Sequence, residues 1–242
     1  MTEQQKTALV TGANKGIGHE IAAGLGALGW RVGVGARDAE RRETAVAKLR
    51  AAGVDAFGVP LDVTDDTSVT AAAALIEDLA GHLDALVNNA GVTGGMAQTP
   101  TTADLATVRE AVETNVIGVI RVTNAMLPLL RRAPSPRIVN VSSSVGSLTR
   151  QTTPGAEMGP VAVAYSPSKT FLNGVTVQYA RELQGTNILI NLACPGYCAT
   201  DLNGFQGHRT PQQGAATAIR LATLPDDGPT GRFFDDDGEV PW

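Results

Sequence analysis

Only two cysteines, three histidines and a 4% share of aromatic residues occur among the 242 residues. Cys194 and Cys198 are too few to staple a fold and are expected as buried reduced thiols rather than a structural disulfide. His19, His82 and His208 lie far apart in no metal-ligand spacing, so no metal site is expected. No apolar run reaches the length of a membrane span, and the polar start MTEQQKT has no apolar signal-peptide core. A cytoplasmic protein with no membrane partner is expected. There is also no long basic run: 19 Lys plus Arg stand against 24 Asp plus Glu, a formal net charge of −5. That balance argues against a nucleic-acid partner. Composition further excludes a collagen-like chain, a coiled coil and a disordered tail. What remains is a chain with 43% hydrophobic residues, long enough to bury a large core.

Apolar runs of strand length alternate with amphipathic stretches of helix length. Strands are expected at Lys6–Thr11, Trp30–Gly35, Val54–Leu61, Leu83–Asn88, Arg137–Val141 and Asn187–Ala193. Helices are expected at Gly16–Leu28, Asp38–Ala52, Asp65–Ala80, about Thr102–Leu130 and Tyr165–Leu183. Short runs rich in Val, Ile and Leu suit strands buried on both faces. Their alternation with helices predicts right-handed crossovers and an α/β, Rossmann-like doubly wound parallel sheet. No linker interrupts the rhythm, so residues 1–242 read as a single domain. Residues 147–164, rich in Gly, Thr and Pro, and the polar residues 201–213 fall outside it. Ligands of open α/β sheets bind at the carboxyl ends of the strands, so these two segments are expected as an insertion and a short lid walling a substrate pocket. Passive surface loops are the alternative.

Thr11-Gly12-Ala13-Asn14-Lys15-Gly16-Ile17-Gly18 follows the first strand and opens the first helix. Glycines allow a tight turn and let backbone N–H groups approach a pyrophosphate at a helix N-terminus. The spacing is G-x3-G-x-G rather than G-x-G-x-x-G, and its place between strand and helix favours a dinucleotide. After the second strand an acidic residue would hold a ribose 2′-hydroxyl, whereas Arg accommodates a 2′-phosphate. The first polar position there is Arg37, and Lys15 is a second cation, so NADP(H) is the expected cofactor. Asp38 is the competing signal for NAD, but it precedes AERRETAVAKL and reads as an N-cap.

Tyr165-Ser166-Pro167-Ser168-Lys169 places a phenol and an ammonium on one face of a helix. A nearby ammonium favours phenolate and is expected to lower the tyrosine pKa. Pro167 is tolerated only in a first turn, so the helix should begin near Tyr165. Around this pair stand Asn88-Asn89-Ala90-Gly91 at a strand end, Asn115 in the long helix, Ser142-Ser143-Ser144 after RIVNV, and Cys194-Pro195-Gly196 with Thr200 after a later strand.

In order, spacing and context these motifs resemble the short-chain dehydrogenase/reductase family, over about Lys6–Trp242. The resemblance implies that Tyr165 is the general acid, that Lys169 lowers its pKa and bonds the nicotinamide ribose, and that Ser143 orients the substrate carbonyl. It implies a relay water at Asn115, for which a buried amide bonding helix backbone is the alternative. It places Asn89, Ala90 and Gly91 against the cofactor ribose, Asp62 and Val63 beside the adenine and Thr200 near the nicotinamide carboxamide, with Pro195 and Gly196 also against the cofactor. Asp62 could instead cap a helix. The long gap between Ser143 and Tyr165, the TGANKGIG turn, ARD and the ending GRFFDDDGEVPW are similar to the carbonyl reductase branch. In that branch the insertion can cover a subunit-packing face, so a homo-oligomer (dimer or tetramer) and a monomer both stay open.

The expected function is NADPH-dependent reduction of a ketone or aldehyde, with reversible alcohol oxidation. A non-catalytic NADP-sensing module is the alternative, and a sugar-nucleotide epimerase or dehydratase would need a longer region after Thr200. The substrate pocket is expected to include Val145, Met158, Tyr197 and Phe205.

Overall fold

A computed structural model describes residues 5–95 and 98–242; most of the polar start, Met1–Gln4, lies outside them. The strands β1 (Thr7–Thr11), β2 (Arg31–Ala36), β3 (Ala56–Pro60), β4 (Ala85–Asn88), β5 (Arg137–Val141), β6 (Leu189–Ala193) and β7 (Phe233–Phe234) form a seven-stranded sheet in the order β3-β2-β1-β4-β5-β6-β7. Every pairing is parallel. The chain winds outward from β1 in one direction and from β4 in the other, so the crevice where the order reverses opens between their carboxyl ends.

Helices α1 (Gly16–Ala27), α2 (Ala39–Ala51) and α3 (Asp66–Ala80) cross between the first strands. Side-chain caps set the starts of α2 and α3, where the backbone leaves four N–H groups unpaired. Asp38 accepts from Arg41 N at 2.9 Å to cap α2, and Asp65 accepts from Thr67 N at 2.7 Å to cap α3. Asp62 is therefore not a helix cap; its carboxylate accepts from the Thr64 amide at 3.0 Å and the Thr64 hydroxyl at 2.7 Å. One core layer packs Ile21, Leu25, Val46 and Leu49 against one face of the sheet, and the other packs Ile76, Met126, Leu130 and Leu183 against the opposite face.

Three differences from the expected pattern bear on the site. The long helix is broken into α4 (Leu105–Val112), a π-helical turn at Glu113–Ile117 and α5 (Gly118–Leu130). The widened turn contains Asn115, fully buried and bonded to the backbone of Val92. Inside residues 147–164 lies one short helix, α6 (Leu148–Thr152), and the helix after them, α7 (Tyr165–Glu182), starts at Tyr165 with Pro167 in its first turn, as expected. The expected lid at 201–213 ends early. Thr210 accepts from Gln213 N and Pro211 opens α8 (Pro211–Ala222), so residues 211–213 are helix.

Beneath the crevice a buried polar ladder joins the sheet to the helices. Asn88 on β4 is in register with Asn140 on β5 and donates to its Oδ1 at 2.8 Å and to the Thr123 hydroxyl at 3.1 Å. Asn140 Nδ2 then donates to Thr176 on α7 at 2.8 Å, and Asn140 is wholly buried. Cutting these bonds leaves further desolvated groups without partners, beside the already unpartnered Asn88 Oδ1, a cost of about 1–3 kcal/mol. Asn140→Ala is expected to lower unfolding stability by that amount, read from urea denaturation; a change within error would show that the ladder adds nothing to stability.

Candidate active site

The first wall of the crevice is built by strand ends held edge to edge. The Thr11 hydroxyl, at the end of β1, accepts from the amides of Asn89 and Ala90, each at 2.9 Å. The Asn89 side chain donates back to the Thr11 carbonyl at 2.9 Å. Gly12 turns the chain there with φ +65°, a conformation in which a side chain is strained. A Cβ at Gly18 would collide with Asn89 Nδ2 and come within 2.6 Å of the Gly12 carbonyl. The turn is thus a cradle from which side chains are excluded, and the N-terminus of α1 has no side-chain cap. Unpaired N–H groups at a helix start attract anions.

A cleft of about 540 Å³ follows this cradle. It is lined by Gly12, Asn14, Lys15, Gly16, Ile17, Gly18, Arg37, Asp62, Val63, Asn89, Ala90, Gly91 and Thr200, which sequence reasoning assigned to one ligand. Arg41, Thr93, Thr114 and Asp201 line it too and were missed. Arg41 was legible in hindsight, since it stands four residues after Arg37 on the first turn of α2. Pro195 and Gly196 do not line the cleft: the Pro195 carbonyl accepts from the Cys198 thiol at 3.2 Å, and the Arg209 side chain lies over Gly196. The cradle, the uncapped helix start and the two arginines fit a dinucleotide carrying phosphates.

The charges in the cleft are unevenly committed. Asp38 caps α2 and lies 3.7 Å from Arg41 Nε, which leaves it a structural carboxylate. The Thr64 amide holds the Asp62 carboxyl below its usual range, against the opposing effect of burial. Lys15 forms an ion pair with Asp201.

The second group of residues meets where β5, α7 and the π turn converge. Lys169 Nζ donates to the Val141 carbonyl at 2.8 Å and lies 5.7 Å from the centre of the Tyr165 ring. The Ser143 hydroxyl sits beside the Tyr165 phenol and favours its charged form. Ser142 is turned away, donating to Asn173 Oδ1 at 2.6 Å in the core. Asn115 donates to the Val92 carbonyl at 2.8 Å and to the Ser168 hydroxyl at 2.9 Å, while its Oδ1 accepts from Val92 N at 2.9 Å. Both of its amide donors are committed, to the backbone of Val92, which lies in no helix, and to a serine side chain. A Cβ on Gly91 would lie 3.8 Å from Lys169 Nζ, so this group adjoins the cleft at the end of β4.

Burial pushes the Tyr165 phenol up to about 12, with Cys194 adding to the rise and the Ser143 hydroxyl opposing it. Burial likewise brings Lys169 down to about 8, with Cys194 opposing. The expected lowering of the Tyr165 pKa is thus reversed, because desolvation dominates. Cys194 and Cys198 are both free and buried. Of the expected pocket residues, Tyr197 and Phe205 are exposed, Met158 is half-buried, and none of these three nor Val145 lines the cleft. Among the described residues no group of His, Cys, Asp or Glu could hold a metal, and no helix is long and apolar enough to cross a membrane.

The chain is similar to known proteins over nearly its whole length. Short-chain dehydrogenase/reductase 1 of Saponaria officinalis is 35% identical over 286 aligned positions, covering 96% of this chain and 94% of the relative. Carbonyl reductase [NADPH] 1 of Mus musculus is 34% identical over 281 positions, covering all of both chains. The crystal structure of NADPH-bound carbonyl reductase from chicken fatty liver superposes with a TM-score of 0.86 at 29% identity, over 99% of this chain and 100% of that one. Residues 6–210, which carry the glycine cradle, the polar strand ends and the Tyr165–Lys169 pair, match the short chain dehydrogenase family; the chain belongs to that family and is an oxidoreductase of alcohol and carbonyl groups.

Proposed function

We propose that the protein is an NADPH-dependent carbonyl reductase that takes a ketone or aldehyde as substrate. The observation that carries this reading is the convergence of Ser143, Tyr165 and Lys169 beside a cleft whose far wall bears Arg37 and Arg41. The bound nicotinamide would supply the hydride. Gly12, Asn14, Gly16, Ile17 and Gly18 would hold its pyrophosphate against the N-terminus of α1, and Arg37 with Lys15 would meet the 2′-phosphate. Asn89, Ala90, Gly91 and Lys169 would face the ribose, with Asp62 and Val63 beside the adenine and Thr200 near the carboxamide. Pro195 and Gly196 would act by shaping the turn that presents Thr200.

The chain's own residues account for the proton. A phenol pushed up to about 12 is neutral at physiological pH, the form that a reduction consumes. Tyr165 donates its proton to the carbonyl oxygen while the Ser143 hydroxyl, beside the phenol, orients that oxygen. Lys169 stays largely protonated at neutral pH and anchors the end of β5 through Val141. Asn115 is a positioning residue that ties Val92 to Ser168 one turn into α7; a relay water there would have to use its backbone. Residues 147–164 and the part of 201–213 before α8 are assigned as substrate walls. The first is pinned near its end, where Gln98 N donates to the Val161 carbonyl at 2.9 Å.

Three outcomes test this reading. Tyr165→Phe removes only the transferable proton and is expected to lower kcat by about 10²- to 10⁴-fold while NADPH still binds. Activity within a few-fold of the parent would remove Tyr165 as the acid. In the pH profile of kcat/KM for reduction, activity should hold through neutrality and fall as pH rises through about 8, where Lys169 loses its proton. A profile flat to pH 10 would show that the ammonium is dispensable. Arg37→Ala deprives a 2′-phosphate of a charge-assisted bond worth about 1.5–3 kcal/mol, so NADPH affinity should drop more than tenfold with NADH nearly unchanged. A parent enzyme that prefers NADH would refute the cofactor assignment.

A further inference from the structure

Lys15 and Asp201 reach toward each other from different parts of the chain. Lys15 is the residue from which α1 starts, and Asp201 opens a short 3₁₀ turn, Asp201–Asn203, directly after Thr200. Both line the cleft, their ion pair joins its two lips, and each side chain keeps half its surface exposed. The other aspartates lining the cleft are committed elsewhere: Asp38 to the cap of α2, Asp62 to Thr64. Asp201, paired with Lys15, is the carboxylate that competes for the cation of the glycine turn. The positive charge of Arg41 acts on the same carboxylate.

We propose that Asp201 is a specificity-determining residue that sets the preference between phosphorylated and unphosphorylated dinucleotide by acting as the counter-ion of Lys15. The proposal rests on the reading that Lys15, with Arg37, meets the 2′-phosphate. A dinucleotide with a free 2′-hydroxyl leaves the Lys15–Asp201 pair intact. One with a 2′-phosphate must take the ammonium from Asp201 or share it, with the carboxylate left close to a dianion. Asp201 thus weakens binding of the phosphorylated form alone. Exposed ion pairs are weak and screened by salt, so the effect is a modest one, about two- to fivefold, and should fade at high ionic strength.

The test is a fluorescence titration of NADPH and of NADH into the parent and into Asp201→Asn, Asp201→Glu, Lys15→Met and the double variant Lys15→Met/Asp201→Asn, with thermal melting to confirm folding. Asp201→Asn should tighten NADPH about two- to fivefold with NADH unchanged, and Asp201→Glu, which keeps the charge, should bind like the parent. The gain should vanish in the Lys15→Met background. The proposal is overturned if Asp201→Asn leaves NADPH unchanged, if it shifts both cofactors alike, or if the gain persists without Lys15. If Lys15→Met and Arg37→Ala both leave the NADPH-to-NADH ratio untouched, the phosphate reading itself fails. If they lower it and Asp201→Asn does nothing, only the role of Asp201 fails.

Discussion

One hydroxyl group organises the site. Thr11 accepts two backbone N–H bonds, from Asn89 and Ala90, and so locks the carboxyl ends of β1 and β4 together at the point where the strand order reverses. Backbone approaches this closely only if side chains are absent, which is why glycines stand at 12, 18 and 91 and an alanine at 90. From that junction the phosphate cradle extends one way, through Gly12 to α1. In the other direction Gly91 leads to Asn115 and Lys169. The cleft and the Tyr165–Lys169 pair are therefore built on the same few strand ends, and their separation is set by the sheet.

The polar residues under the site continue this logic. Asn88, Asn140 and Thr176 hand hydrogen bonds across β4, β5 and α7. Asn115 and Ser168 do the same one layer above, and Ser168 donates to the Tyr165 carbonyl at 2.7 Å. A helix that must present Tyr165 at its first residue is prone to fray, since its leading N–H groups have no partners within the helix. The bonds to Ser168, Lys169 and Asn173 fix that end where local helix propensity would not. Buried amides are costly unless satisfied, and here each is engaged by a different element, so the chain binds its helices to its sheet through the same groups that shape the site.

Much of this was legible from residue order. Strand-length runs of Val, Ile and Leu between helical stretches reveal the sheet, and Asp38 before AERRETAVAKL reads correctly as a cap. The glycine turn and the Tyr165–Lys169 pair are local signals that need no tertiary information. What escaped is nonlocal or lacks periodicity. A π turn is invisible when amphipathic helix runs on either side of it, as at Glu113–Ile117. The strand Phe233–Phe234 has two residues and carries no pattern at all. Helix α8 was signalled by Thr210, Pro211 and Gln213, a capping box with proline at the first helical position, but polar neighbours hid it. The direction of the Tyr165 shift depends on burial, which no spacing encodes.

The π turn also makes the chain's residue count matter. Each residue of an α-helix advances the side-chain direction by about 100°. The five residues from Glu113 to Ile117 therefore set the rotational phase between Ala111, buried on α4, and Val119, Val122 and Met126, buried on α5. Loss or gain of one residue there would swing either Asn115 off Val92 or the whole apolar stripe of α5 off the core. Residues 147–164 contain only the short helix α6 and can change length without disturbing any such phase. Helix geometry thus leaves residues 147–164 free to change in length and holds Glu113–Ile117 to a fixed number of residues.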